Sequence, residues 1–448
     1  MQFPIIWFAA LLAAFPVAAQ NVIDPKGSVV IDPKGSVVID PKWRVVINSP
    51  EQAVALALGQ SPALRGADAS RQAVRGDAVQ ASLRPNPEAS IVVEGFGGIG
   101  GRGNYRGGRA AESTLGVSQR LELGGKRDAR IGFAGRSTDL AGLEYEAARL
   151  DLARDVVLAL AEAAAAARNL GVAQERTRLA AETLRAARAR VEAGKDPLLQ
   201  ARRVEVARAT AEIAADRARR DAETALVNLA VLIGVSRVEL APGQAWFDQV
   251  GAAPKPPAPA DPMIRMTANP DLAKLEATIA RQRANLSVQR ANAVPDVTLQ
   301  GYVRRFQDGR ETAFVAGASI PLPVTDRNQG GIARAQAELL RAEADAERGR
   351  LALVASFIIA ERRTEEARRA VQSLRRDALP AAEQAARFAA GGFAEGKFSY
   401  LEVLDAQRAL SDVRAQLNDA LREFHARRAE TQRLRGPEPG VDLAGGIR

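Results

Sequence analysis

Glu402 and Asp405 stand three residues apart in "AEGKFSYLEVLDAQ" (394–407), a spacing that puts two carboxylates on one face of a helix. Such a pair can attract a cation, move a proton in acid–base chemistry, or only solvate a helix face. The corresponding stretch "EAGKDPLLQARRVE" (192–205) has Gln200 where a second acid is expected, with Asp196 as the nearby carboxylate. Little else in the 448 residues suits catalysis. With no Cys, one His and three Met, the chain has no thiol nucleophile, no disulfide and almost no soft metal ligands. His425, alone near a helix end, reads as a polar surface residue. No Ser/His/Asp set or phosphate loop occurs, and "GGIGGRG" (97–103) follows a strand with no helix behind it, so it is not a dinucleotide fingerprint. The expectation is no enzyme, no cofactor and no resident metal.

The elements that would position the acidic pair are helical and long. Hydrophobic residues make up 47% of the chain but aromatics only 4%. A core of Ala, Leu and Val favours extended helices packed through small side chains. The net charge of +9 suits an anionic partner, yet Arg alternates with Asp and Glu along the helices as on a solvated coiled-coil face, and no nucleic-acid partner is expected. Residues 3–19, "FPIIWFAALLAAFPVAA", read as a secretory signal, with 1–19 removed. Residues 20–49 form an extended arm in which an eight-residue unit starts at Val22, Val30 and Val38 and fades at Val46.

A larger repeat organises the rest. Pro62 and Pro270, like Pro87 and Pro295, are 208 positions apart; Leu121 and Leu322, like Ile131 and Ile332, are 201 apart. Two copies of helix, strand, loop, strand, very long helix, turn, helix are expected over 50–240 and 263–436. A Pro/Ala-rich linker joins them at 241–262, and a tail follows at 437–448. The strands alternate with period two: in 113–123 Leu115, Val117, Leu121 and Leu123 oppose Thr114, Ser118, Arg120 and Glu122. In 296–304 Val297, Leu299 and Val303 oppose Thr298, Gln300 and Arg304, and 312–322 gathers Phe314, Ala316, Ala318, Ile320 and Leu322. Four such strands cannot close a membrane barrel alone, whereas three chains would supply twelve; the alternative is a sheet covering one side of a soluble helical domain. From Lys126 to Gly194 no Pro interrupts the helical pattern. Two heptad runs follow, Ala367, Val371, Leu374, Ala378, Ala381, Ala385, Phe388 and Val403, Ala406, Leu410, Val413, Leu417, Ala420, Phe424, with a bend expected at Pro380.

With "LELGGKRDARI" (121–131), "SIPLPVTDRNQGGIARAQAE" (319–338) and "GKFSYLEVLDAQRAL" (396–410), the chain resembles the TolC family of outer-membrane factors, and within it the CzcC-like heavy-metal efflux branch. The resemblance covers about residues 50 to 435. It implies an α+β membrane protein with an internal two-fold repeat: a long α-helical barrel, plus four β-strands per chain contributing to a twelve-stranded trimeric β-barrel. It also implies a Gram-negative outer-membrane location with a large periplasmic part, contact with outer-membrane lipid, a homotrimer, a periplasmic adaptor (membrane fusion protein) and an inner-membrane resistance-nodulation-division pump. Divalent cations of the cobalt, zinc and cadmium type are the implied cargo. The alternatives are the same duct for drugs or type I polypeptide export, and a soluble basic coiled-coil scaffold.

Residue roles follow from the same resemblance. Glu402 and Asp405 match the acidic positions that ring a closed periplasmic gate. Gly194, Lys195, Asp196, Gly396, Lys397, Phe398, Ser399, Tyr400 and Leu401 match the adaptor-docking tips. Gly124, Gly125, Gly330 and Gly331 would allow the sharp strand-to-helix junctions, with Pro321 and Pro323 where strand donors can be spared.

Overall fold

The computed structural model describes residues 30–31, 37–38, 44–97, 110–195, 197–251, 261–395 and 397–437. The signal segment, most of the arm, the tip of the Gly-rich loop, residues 252–260, Asp196, Gly396 and the tail beyond 437 lie outside the described residues. The chain divides into Met1–Trp43 and Arg44–Arg448. In the first unit β1 (Val30–Ile31) and β2 (Val37–Val38) pair antiparallel, Val30 opposite Val38.

The second unit opens with β3 (Arg44–Ile47) and α1 (Pro50–Gln60). Ser49 caps α1 by accepting from the Gln52 amide at 3.2 Å, and Pro50 supplies a first-turn residue with no donor to lose. Next come α2 (Pro62–Ser82), β4 (Glu88–Glu94), β5 (Glu112–Leu121), α3 (Lys126–Glu192), α4 (Leu198–Ile233) and β6 (Arg237–Leu240). The second repeat adds α5 (Pro262–Arg265), α6 (Pro270–Asn292), β7 (Val297–Phe306), β8 (Thr312–Ser319), α7 (Gln329–Ser373), a π-helical turn (Leu374–Ala378), α8 (Leu379–Ala394) and α9 (Tyr400–Arg435). At ~1.5 Å per residue, the 67 residues of α3 span roughly 100 Å.

The four long strands make one antiparallel sheet in the order β4-β5-β7-β8. Cross-strand register aligns Ile91, Leu115, Val303 and Phe314 in one row, and Ala89, Val117, Gly301 and Ala316 in another. One face is therefore apolar and exposed, Ile91 at 76% and Phe314 at 85%. The opposite face carries Ser90, Thr114, Tyr302 and Arg304. On it the Tyr302 ring covers Gly116, where a Cβ would come within 1.8 Å of the ring. Ile320 and Leu322 do not extend β8: the ladder stops at the Thr298–Ser319 pair, and Pro321 has no donor to continue it.

The helices follow the same order. Near the strands, α2 packs on α3, α3 on α6 and α6 on α7; near the distal turns α4 packs on α3, α3 on α9 and α9 on α8. The first departure from the sequence reading lies at the two ends of the first repeat. The end of the expected arm is a strand, since β3 pairs in parallel with β6, and part of the expected linker is packed core. The second departure is in the heptad through α7 and α8. Phe388 is 71% exposed and Ala381 and Ala385 face solvent, while Ala389 is buried and Ala382 and Ala386 are half-buried. The π-helical turn inserts one extra residue per turn just ahead of Pro380, which has no amide hydrogen for an i–4 bond, and every later seam position moves on by one.

The two strand-to-helix junctions use different residues. Gly124 and Gly125 are both left-handed (φ 70° and 71°), and a Cβ on Gly124 would approach the Val294 Cβ to 2.6 Å. Gly330 and Gly331, by contrast, lie inside α7, and the left-handed residue is Asn328 (φ 55°). Asn tolerates this region because its side chain finds local partners; here Nδ2 donates to the Gln289 carbonyl at 2.8 Å, tying the start of α7 to the end of α6. Pro321 and Pro323 lie in the irregular segment between β8 and α7. Asp296 secures the first junction by accepting from Lys126 Nζ at 2.6 Å and the Leu123 amide at 3.3 Å. Arg130 pairs with Glu122, and Arg127 Nε donates to the Ser82 carbonyl at 2.7 Å, satisfying the end of α2.

Gly124→Ala should destabilise the protein by about 1–3 kcal/mol, because both the left-handed backbone and the Val294 contact oppose it. Gly330→Ala, in a helix with open space around it, should be neutral or stabilising by up to about 1 kcal/mol. Denaturant unfolding of the two purified variants checks the contrast; equal losses would contradict the junction assignment.

Candidate functional site

The distal turns carry the acidic pair. Gly194, left-handed at φ 67°, ends α3, and the Lys195 amide donates to the Arg190 carbonyl at 2.9 Å. In the second turn the amides of Lys397 and Phe398 donate to the Gly392 carbonyl at 2.8 and 3.2 Å, and Lys397 Nζ meets Glu395 at 2.6 Å. The Phe398 ring lies over Gly392, where a Cβ would approach it to 2.2 Å. Lys195, Lys397, Phe398, Ser399 and Leu401 are exposed, whereas Tyr400 is buried.

Tyr400 links the two helical hairpins. It enters an apolar cluster of Leu184 and Ala187 on α3 and Val204 on α4, with Phe393 6.2 Å away edge-on. Burial raises its phenol above the usual range. Glu402 and Asp405 are exposed but differ in surroundings. Ser399 and Glu402 form a capping box at the start of α9, the Glu402 carboxylate accepting from the Ser399 amide at 2.6 Å. Asp405 has, among the described residues, a distant Arg408 contact at 3.8 Å. Gln200, in the matching turn of the first repeat, is half-buried with its Oε1 shielded from solvent. A carboxylate there would lose its hydration, which accounts for a neutral amide at that position.

A second constellation lies at mid-length and escapes sequence reading. After β6 the chain makes a 3₁₀ turn, Ala245–Asp248, that drives Phe247 fully inside among Ala161, Ala164 and Ala165 of α3, Val371 of α7, and Leu421 and Phe424 of α9. Asp248 accepts from both terminal nitrogens of Arg168 at 2.8 and 2.7 Å and from Arg375 at 2.9 Å; Arg375 also donates to the Asp248 carbonyl at 2.8 Å. Arg375 belongs to the π-helical turn, so the register change in α7–α8 and the anchoring of this segment are one arrangement. The Arg168 guanidinium holds the Asp248 carboxyl below the usual range against its partial burial, with Arg375 adding to the effect. His425 is not a surface residue: it is buried, stacked on Phe247 at 5.3 Å, with Nε2–H donating to the Phe247 carbonyl at 2.9 Å. Burial pushes its pKa down, the Phe247 carbonyl opposing. The available signal was "AWF" (245–247), a pair of aromatics in a chain otherwise poor in them.

A hollow of about 350 Å³ between α3, α4 and α9 is lined by polar groups of Glu162, Asn169, Asp221 and Asp419 among others. Arg422 already occupies Glu162 at 3.2 Å, and Asn169 reaches Asp419 at 3.4 Å. Among the described residues no group of three or more His, Asp or Glu is placed to hold a metal ion. The exposed acids at the distal turns can attract cations from solvent.

The sequence pattern of the family described as "outer membrane efflux protein" matches residues 53–235 and 266–436. The chain is 31% identical over 386 residues to the cobalt-zinc-cadmium resistance protein CzcC of Cupriavidus metallidurans, covering 86% of this chain and 89% of that protein. It is 27% identical over 301 residues to the nickel-cobalt-cadmium resistance protein NccC of Alcaligenes xylosoxydans, covering 65% and 67%. Among solved structures, CusC superposes with a TM-score of 0.72 at 18% identity, over 88% of this chain and 93% of that one. The open state of the Neisseria gonorrhoeae MtrE outer membrane channel gives 0.71 at 21%, over 87% and 89%.

The mid-length cluster predicts a pH dependence. The fold favours neutral His425, so the unfolded chain takes up the proton first; this stabilisation is complete above about pH 6.5 and declines as the pH falls below it. Melting temperatures of wild type and His425→Gln between pH 7.5 and 5 should show the smaller loss in the variant, and identical slopes would contradict the assignment.

Proposed function

Because the chain belongs to the outer membrane efflux protein family, we propose that three copies form a passive duct exporting divalent heavy-metal cations of the cobalt, zinc and cadmium type. The observation that carries the cargo is the match to CzcC across 86% of this chain. The chain is a channel component of the Gram-negative outer membrane, and its family is one of transport channels rather than enzymes.

The free edges β4 and β8 support the three-copy reading. In hydrocarbon their unpaired peptide groups need partners, and three four-stranded sheets joined edge to edge supply twelve strands. The exposed face of Ile91, Leu115 and Phe314 would then meet lipid, and the face of Ser90, Thr114 and Arg304 would line the lumen. A periplasmic adaptor would dock on the tips at Gly194, Lys195, Asp196, Gly396, Lys397, Phe398, Ser399 and Leu401, with the buried Tyr400 bracing the turns from inside rather than meeting the adaptor, and an inner-membrane resistance-nodulation-division pump would select and drive the ion. Three copies of Glu402 and Asp405 place six carboxylates at one constriction. That ring attracts divalent cations and repels itself, which favours opening.

Deleting the gene from its host should sensitise cells to cobalt, zinc and cadmium, with wild type restoring tolerance. Glu402→Gln with Asp405→Asn should restore it only partly, leaving tolerance several-fold lower. Gln preserves the capping box, so the loss reports charge rather than folding. Sensitivity to dyes and detergents with unchanged metal tolerance would move the cargo to organic compounds.

A further inference from the structure

Among the described residues, the row of helices near the distal turns, α4–α3–α9–α8, has no further long helix packed along the outer side of α4 or of α8. The outer face of α4 carries Leu199, Val206 and Ile213, seven residues apart and 59%, 67% and 70% exposed, the spacing of a seam that a second helix covers. At the other end of the row, the π-helical turn has rotated Phe388 out of the seam within the chain, where the heptad of α7 would have kept it, and Ala389 fills its place. An apolar stripe at one end and an apolar knob at the other match the head-to-tail order of the free strand edges β4 and β8.

Heights along the helices agree. Glu383 of α8 contacts Arg414 of α9 at 3.5 Å, and Leu404 of α9 lines one hollow with Ala207 of α4. Counting from these contacts at ~1.5 Å per residue sets Phe388 level with Ile213 to within about one helical turn. The same count sets Arg202 near Glu395 and Arg220 near Asp377, so basic groups flank the stripe and acidic groups stand at either end of α8. Arg202, Glu395 and Asp377 are exposed, and among the described residues their side-chain partners lie within four positions in sequence: Glu205 for Arg202, Lys397 for Glu395, and Arg376 and Ser373 for Asp377.

We propose that the exposed face of α8 docks on α4 of a second copy, with Phe388 seated against that copy's Ile213 and Val206 and with Arg202–Glu395 and Arg220–Asp377 pairs on either side. The π-helical turn thus builds the contact between copies by taking Phe388 from the seam within the chain. This rests on the three-copy reading.

The cysteine-free chain allows a direct test. In outer membranes, Phe388→Cys with Ile213→Cys should give, on mild oxidation, a ladder of disulfide-linked dimers and trimers on denaturing gels. The ladder should collapse with reductant and be absent from either single variant. Absence of the ladder while the unheated gel still shows a trimer overturns this seam alone; monomer in both gels overturns the three-copy reading with it. As a second arm, Arg220→Asp should lower the heat resistance of the oligomer and Asp377→Arg should restore it. Failure of the second change to restore it overturns the proposed pairing.

Discussion

An unpaired peptide group in hydrocarbon costs several kcal/mol, and in the proposed barrel β4 and β8 would each present a row of such groups at the edges of a sheet whose inner ladders, β4-β5, β5-β7 and β7-β8, are paired. That imbalance sets the terms for the rest of the chain. The strand order β4-β5-β7-β8 fixes the order of the helices attached to them, α2, α3, α6 and α7, so an assembly that closes the sheet also brings the helical rows together end to end. The two junctions transmit this order from strand to helix: Asp296 and Arg127 tie α3 to its neighbours at one, and Asn328 ties α7 to α6 at the other.

Mid-length, the 3₁₀ turn around Phe247 does for the helices what the junctions do for the strands. Asp248 joins Arg168 of α3 to Arg375 of the π-helical turn, and His425 of α9 holds the Phe247 carbonyl, so one short segment touches three helices. The register change at Leu374–Ala378 has two consequences. It aims Arg375 at Asp248, and it turns Phe388 outward 13 residues later. A helix that kept the α-helical register would lose both.

Much of the fold was legible because it rests on local periodicity. Alternation in Leu115–Thr114–Val117–Ser118 gave the two sheet faces, and "LELGGKRDARI" and "GKFSYLEVLDAQRAL" led to the family that the comparisons support. What failed depends on tertiary partners. Asn328 is left-handed through a bond to Gln289, thirty-nine positions away, while the glycines that looked suited to the turn are helical. Phe388 fits the heptad in sequence, and no pattern of residue types marks a π-helical turn. His425 lacks ligand partners in sequence, yet aromatic packing rather than solvent surrounds it. For the acidic pair, the spacing shows a shared helix face, and the S-x-x-E pattern of Ser399 and Glu402 is the signal, unused in the sequence reading, that Glu402 also caps the helix it stands on.

The most direct measurement of the central claim is the mass of the protein extracted in mild detergent from native outer membranes, determined by native mass spectrometry. A particle of three chains that persists until heating is the expected result. A folded single chain in the same extract would leave both sheet edges open and contradict it.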